Sequence, residues 1–367
     1  MRWERWYKGG MRRRGRTLGA AVLAVAVTVG AGMVSVRADD DPALEPVDAR
    51  ELLSSVIEAS LRGAPISGEV ETTFDLGLPE LPGSMGGIAG APGVLASFTG
   101  DQRWKVWSSP DGLRVAHLLQ AREQDLVVNR DEAWWWDSAE MRAIHLDPAD
   151  LDPGWPDVAS TPNGSPAPPV DPVALATALI RGASPCASLS QEGTYRVAGR
   201  DVYVLALSPS SSGSLVGSIR LSVDAQTRLP LRVEVRSIGG DDAPIAAGFT
   251  SVSFDPIDPA MCSFEPPPGA TVSEASEVAE ASGADEATGD AEGAGPAAIT
   301  DARVFGGCLG VVVALRLDGR LPDAAAGLLP FAGPLSSAIA VERSDHTWVL
   351  AGLVDADALE ARAATLP

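Results

Sequence analysis

Ser344, Asp345 and His346 stand side by side and carry the side-chain types of a hydrolytic relay. Such a relay needs its groups to converge from separate elements, and neighbours in one turn point apart. The trio is therefore read as a turn. No Gly-x-Ser-x-Gly elbow, His-Glu-x-x-His pair, phosphate-binding Gly-Lys-Ser/Thr loop or paired-cysteine motif occurs anywhere in the chain. His117 and His145 lie in alternating, strand-like runs and share no ligand spacing. Nothing supplies the matched acid and base of a hydrolase. The chain is read as a non-enzyme, with no catalytic residue, no metal and no cofactor.

Cys186, Cys262 and Cys308 are the only cysteines, and their spacing fits no metal site. Two readings stand: a Cys186–Cys262 disulfide, as an exported chain would form, or three small buried hydrophobes. The most unusual local feature is Trp134-Trp135-Trp136. In a strand two of these rings face one side and the third the other. Trp104 and Trp107 likewise fall on opposite faces of their own run. Rings with one polar edge serve either as packing or as the rim of an apolar cavity. Leu76-Gly77-Leu78-Pro79 and Leu81 belong to a Gly/Pro-punctuated apolar stretch, 77–96, with few charges. It reads as a flap that packs on a rim or gates it.

The charge is lopsided. Residues 1–16 hold seven bases and one acid, and Arg37 adds another base, so the overall −21 becomes −28 from Asp39 onward. A body so acidic does not follow a phosphate backbone, which excludes nucleic acid as a partner. Behind the basic segment, 1–17, lies the uncharged run Leu18–Val36. As a helix it would span roughly 29 Å, close to the hydrocarbon thickness of a bilayer. Basic residues before it and Asp39, Asp40 and Asp41 after it predict a single pass through the cytoplasmic membrane with the bulk outside. The alternative is a cleaved signal and a secreted chain, although Val36-Arg37-Ala38 suits cleavage poorly.

The elements that must position any site follow. Asp48 to Glu51 is a capping pattern, and Leu52, Leu53, Val56, Ile57 and Leu61 recur at helical spacing, predicting a helix over 48–62. Gly63 and Pro65 end it. Strand-like runs come next at 66–76, 102–108, 113–119, 124–128, 132–137 and 141–146, with turns at Pro110-Asp111-Gly112 and Asn129-Arg130-Asp131. Residues 148–170 are rich in Pro, Asp and Gly and read as a loop. A second helix is expected over 172–182, with Pro172 at its first position. A second meander follows over 194–197, 202–207, 216–223, 229–238 and 245–254. Ile219, Leu221 and Val223 share one face, as do Leu231, Val233 and Val235, while Arg232, Glu234 and Arg236 lie opposite. From Pro266 to 298 the chain carries seven acids and no base, and reads as an acidic disordered linker (269–299 at its core). Residues 300–367 recover apolar character: a strand at Val304–Leu317, a weak helix at Asp323–Leu329, strands at Ile339–Val341 and Trp348–Val354, and a last helix at Asp355–Thr365.

The runs Val197–Pro209, Val216–Asp224 and Leu229–Val235, with Ile66-Ser-Gly-Glu-Val70 and Leu76–Pro82, resemble the exported LolA-like, lipoprotein-carrier-like family of Gram-positive bacteria. The superfamily includes the RseB/MucB-type envelope-stress regulators. The likeness covers residues 46–268 and is one of strands and turns, so it specifies fold more than activity. It implies a mainly β (α+β) fold: an incomplete antiparallel β-barrel whose concave face is plugged by helices, here with a small C-terminal α+β module. It also implies a cavity between barrel and helices for a lipid acyl chain or lipoprotein, on which reading Leu78, Leu81, Trp104, Trp135, Leu221 and Val233 are the candidate ligand-binding residues. The regulator branch implies instead a membrane-bound partner, the outer part of an anti-sigma factor.

Overall fold

The computed structural model describes residues 42–75, 100–119, 122–146, 172–183, 186–210, 213–240, 242–277, 299–306, 309–321 and 326–367. Helix α1, Ala49–Arg62, starts where the Asp48 carboxylate accepts the free backbone N–H of Arg50 at 2.9 Å, and stops at Gly63, whose φ of 64° is left-handed. Strands β1 (Ile66–Phe74), β2 (Gly100–Ser109), β3 (Gly112–Leu119), β4 (Arg122–Asn129), β5 (Ala133–Asp137) and β6 (Arg142–Leu146) form the first meander. Helix α2, Pro172–Ala183, precedes the second: β7 (Ala187–Val197), β8 (Arg200–Pro209), β9 (Val216–Asp224), β10 (Pro230–Ser237) and β11 (Ile245–Ser253).

Among the described residues, both meanders and β12 (Thr271–Glu274) make one sheet of twelve strands, in the order β12-β6-β5-β4-β3-β2-β1-β11-β10-β9-β8-β7. All pairs are antiparallel except β12 with β6. The sheet stays open, with β12 and β7 as edges, so the mainly β, half-barrel architecture implied by the resemblance is the architecture found. The β1–β11 pairing joins the meanders, placing Phe74 against Ile245 and Thr72 against Ala247.

One face of the sheet, the inner face, meets the helices. Over the β8–β10 half it is solid: Leu205, Leu207, Ile219, Leu221, Val233 and Val235 pack with Leu52 and Val56 of α1 and Leu175, Ala176 and Ile180 of α2. On the outer face of the other half, residues 259–265 lie close. Gly112 is required there, since a Cβ would stand 2.7 Å from the Cβ of Cys262, and Asn129 Nδ2 donates to the Cys262 carbonyl at 2.9 Å.

The acidic stretch read as a linker needs correction at its start. Thr271–Glu274 is strand β12, paired with β6 and fastened by His145 Nδ1 to Glu274 Oε2 at 3.0 Å. Residues 278–298 lie outside the described residues. The small module is a sheet of five strands, β13 (Ile299–Phe305), β14 (Val312–Asp318), β15 (Phe331–Ala332), β16 (Ser337–Glu342) and β17 (His346–Gly352), in the order β13-β14-β17-β16-β15. Helix α3, Ala356–Ala363, covers one face, with Leu359 and Ala363 against Trp348 and Leu350. The single strand expected over Val304–Leu317 is thus two, β13 and β14. Of the expected Asp323–Leu329 helix, residues 323–325 lie outside the described residues. The module meets the large sheet through Ser214, whose hydroxyl donates to the Leu309 carbonyl at 2.5 Å and whose backbone bridges Val354.

Among the described residues no helix is long and apolar enough to cross a membrane. On that finding the expectation of a single-pass chain in the cytoplasmic membrane is corrected; its segment, 18–36, lies outside the described residues. Secretion, the alternative, is untouched by it.

Candidate functional site

The helices do not cover the inner face evenly. Over β2–β4 they stand off the sheet, leaving a groove of about 820 Å³. Its floor is Ile66, Leu113, Leu126 and Val128, its deep edge Leu229, and its walls are the C-terminal half of α1 (Ile57, Leu61) and one face of α2 (Val173, Thr177, Arg181). Ile57 is 43% and Leu61 75% exposed. In proportion to their exposure, these two aliphatic side chains leave unburied apolar surface of about 1–2 kcal/mol at Leu61 and about 1 kcal/mol at Ile57. Both face the groove. The β2–β3 turn, Ser108 to Gly112, and Arg130 close one end, and Arg130 pairs with Asp111 at 3.2 Å. A volume of this size is that of a small-molecule site.

Beyond the apolar floor the inner face of β2–β5 becomes polar. Trp104, His117, Gln124 and Asp137 follow one another across the strands as register partners. Trp104 Nε1 donates to Thr72 Oγ1 at 3.0 Å, and His117 Nε2 lies 2.8 Å from Gln102 Oε1. Burial lowers the His117 pKa; a hydrogen bond with Gln124 opposes this and the Arg122 charge adds to it. Asp137 is fully buried and accepts from Arg122, from Gln124 Nε2 at 2.9 Å and from the Ala139 N–H at 2.9 Å. Burial alone would raise its carboxyl, but the hydrogen bonds, Gln124 first, hold it below the usual range.

The expected ligand-binding residues are scattered by this geometry. Leu221 and Val233 are fully buried within the solid half. Trp104 is buried on the inner face beside the floor, with Val106, Val115 and Phe249. Trp135 faces inward between Leu126 and Ile144, with the Arg142 guanidinium 5.6 Å from its ring centre. Trp134 and Trp136 face outward, their ring centres 5.8 and 5.7 Å from that of Phe264. Leu78 and Leu81 lie outside the described residues. The residues that do line the groove, Ile57, Leu61 and Arg181, were not singled out for a ligand. One signal was available: the apolar stripe of α1, from Leu52 to Leu61, is wider than one core-facing side needs.

The Cys186–Cys262 disulfide is corrected. Cys262 is a buried free thiol, and Cys186 is disulfide-bonded to another partner. Cys308, the remaining cysteine, lies outside the described residues. Burial raises the Cys262 pKa. His346 Nδ1 lies 2.7 Å from Asp345 Oδ1, while Ser344 makes no hydrogen bond to either. Among the described residues no three His, Cys, Asp or Glu side chains converge as metal ligands.

The chain is thus an open half-barrel with a helix-walled apolar groove. No family model matches it, and no curated protein matches it. Among solved structures it is similar to the Pseudomonas aeruginosa MucA/MucB complex, at 16% identity over 86% of this chain and 96% of that one, with a TM-score of 0.45. It is similar also to MucB in complex with MucA(peri), at 14% identity over 86% of this chain and 96% of that one, TM-score 0.44. A LolA superfamily protein, NE2245 from Nitrosomonas europaea, shares 11% identity over 60% of this chain and 99% of its own, TM-score 0.24. These are the two groups that the strand pattern resembles.

Proposed function

We propose that this chain is a binding module that shelters a hydrophobic ligand, a lipid acyl chain or the acyl chains of a lipoprotein, in the groove between β2–β4 and helices α1 and α2. The observation behind this reading is the groove of about 820 Å³ with an aliphatic floor and two outward aliphatic side chains, Ile57 and Leu61, aimed into it. Each sequestered CH₂ contributes about 0.8 kcal/mol, so a 16-carbon chain would gain on the order of 10 kcal/mol before ordering costs. A binding device of this kind needs no catalytic motif. The disulfide at Cys186 accords with maturation in an oxidising compartment. Native mass spectrometry of the purified full chain tests the proposal. A lipid should co-purify, or added single-chain amphiphiles should bind at 1:1. A chain that carries no lipid and binds no added amphiphile would sink it.

A second reading is a regulator that binds the outer part of a membrane-bound anti-sigma factor. One surface favours it. In the small module β13 and β14 pair Val304 with Val313, and these side chains are 69% and 38% exposed on the face away from α3. This uncovered aliphatic pair is the contact that such a partner would cover. Co-purification of a membrane-bound regulator, abolished by Val304→Asp, would support it, and recovery unaffected by that variant would remove the surface from consideration.

A further inference from the structure

The groove is apolar in its depth but not neutral at its rim. Among the described residues its lining holds three charged side chains, Asp111, Arg130 and Arg181. Asp111 and Arg130 neutralise each other. Arg181 stands exposed on the groove-facing side of α2 and, among the described residues, makes no hydrogen bond or ion pair. The other polar lining side chains are largely committed within the protein. The Ser60 hydroxyl donates to the Val56 carbonyl at 2.9 Å, Thr177 to the Val173 carbonyl at 2.8 Å, and the Asn129 amide to Cys262. The lining is therefore net +1 on a chain of net −21. On a chain of that net charge an unpaired cation is a local point where an anion is attracted against the overall repulsion.

Resting on the binding function proposed above, we infer that the ligand is a single-chain amphiphile with one negative charge, a long-chain carboxylate, and that Arg181 reads its head group. A guanidinium meets a carboxylate through two parallel N–H···O bonds. A head bearing two negative charges would put the second charge near Asp111, which shares the same rim. The alkyl chain would lie on Leu113, Leu126 and Val128, flanked by Ile57 and Leu61.

Calorimetric titration of the full chain with decanoate, decanol, decyl phosphate and decyltrimethylammonium tests this. Decanoate should bind about fivefold more tightly than decanol, the scale of an exposed charge contact, and the advantage should shrink with added salt. Arg181→Gln should bring decanoate to the level of decanol, and Arg181→Lys should keep part of the preference. Equal affinity of decanoate and decanol, or a preference that survives Arg181→Gln, would overturn the head-group assignment while leaving the groove as a hydrophobic site. Tighter binding of decyl phosphate than of decanoate would overturn the carboxylate. Failure of all four to bind would overturn the groove reading itself.

Discussion

Trp104 and His117 lie face to face on neighbouring strands, ring centres 3.8 Å apart and planes 14° from parallel. The stack marks where the inner face of β2–β5 passes from aliphatic to polar. Because burial holds the His117 pKa below the ordinary 6.5, the fold prefers the neutral ring. Between the two values the unfolded chain binds more protons, so stability rises with pH there. The contribution is complete above about 6.5 and is lost as pH falls through the folded value. Denaturant titrations at pH 7 and pH 5 should show a loss on acidification, and His117→Gln should reduce that loss. An unchanged difference would mean that the ring is as well solvated in the fold as outside it.

Asp125, on the outer face of β4, has the opposite sign. It is 1% exposed beside Arg114, and burial outweighs that guanidinium, so its carboxyl is pushed up to about 6 from 3.8. The fold then holds a proton that the unfolded chain releases. Its stabilising share is complete below about 3.8 and lost as pH rises through about 6. Asp125→Asn, which keeps the shape and removes the titration, should steepen the loss seen on acidification between pH 7 and pH 5. An unchanged profile would show the carboxylate ionised against Arg114 throughout.

These polar rows explain what the sequence showed and what it hid. The second meander was legible because Ile219-Leu221-Val223 and Leu231-Val233-Val235 alternate strictly over a solid core. The start of β7 was not, because Ser188, Ser190 and Gln191 lie on a sheet edge, where one side of the strand has no partner to demand apolar residues. β12 was hidden for another reason: four residues, Thr271–Glu274, pair in parallel with β6 across more than a hundred positions, and no local pattern encodes that. The break between β13 and β14 was signalled by Gly306, Gly307 and Gly310, though apolar neighbours on both sides masked it. Gly306 has a φ of 75°, and a Cβ there would sit 2.4 Å from the Gly310 carbonyl oxygen. The groove was hardest to see. Leu52, Val56, Ile57 and Leu61 look alike in sequence, and only the docking of α1 on the sheet sends the first two into the core and the last two to the open side.

That division gives a direct test. Ile57→Asp and Leu61→Asp alter side chains that are 43% and 75% exposed, so stability should change by no more than about 0.5 kcal/mol each, while decanol binding should weaken at least about tenfold. Leu221→Ala, in the solid half, should cost about 2–5 kcal/mol of stability, as a buried leucine does. Denaturant curves and calorimetry on the same three proteins check both. Retained decanol binding in the two aspartate variants would place the hydrophobic site elsewhere.

The half of the sheet that holds no groove is anchored at Asp224, and its chemistry makes the last prediction. Asp224 is 1% exposed and takes Arg200 in two contacts, Nε at 2.8 Å and Nη2 at 3.1 Å, while the same carboxylate closes the β9–β10 turn by accepting the Gln226 and Thr227 N–H groups at 3.0 and 2.7 Å. Burial alone would raise its pKa. The Arg200 and Thr227 hydrogen bonds outweigh that and hold it below 3.8, so its stabilising share is present above that value and lost as pH falls through the folded one. Asp224→Ala strips the turn of its acceptor and leaves Arg200 half-buried without its partner, which should cost about 3–5 kcal/mol. Asp224→Asn keeps one acceptor for the turn and should cost less. Denaturant unfolding of the two variants separates the contributions: equal losses would assign the stability to the ion pair, whereas a small loss in the asparagine variant would assign it to the turn.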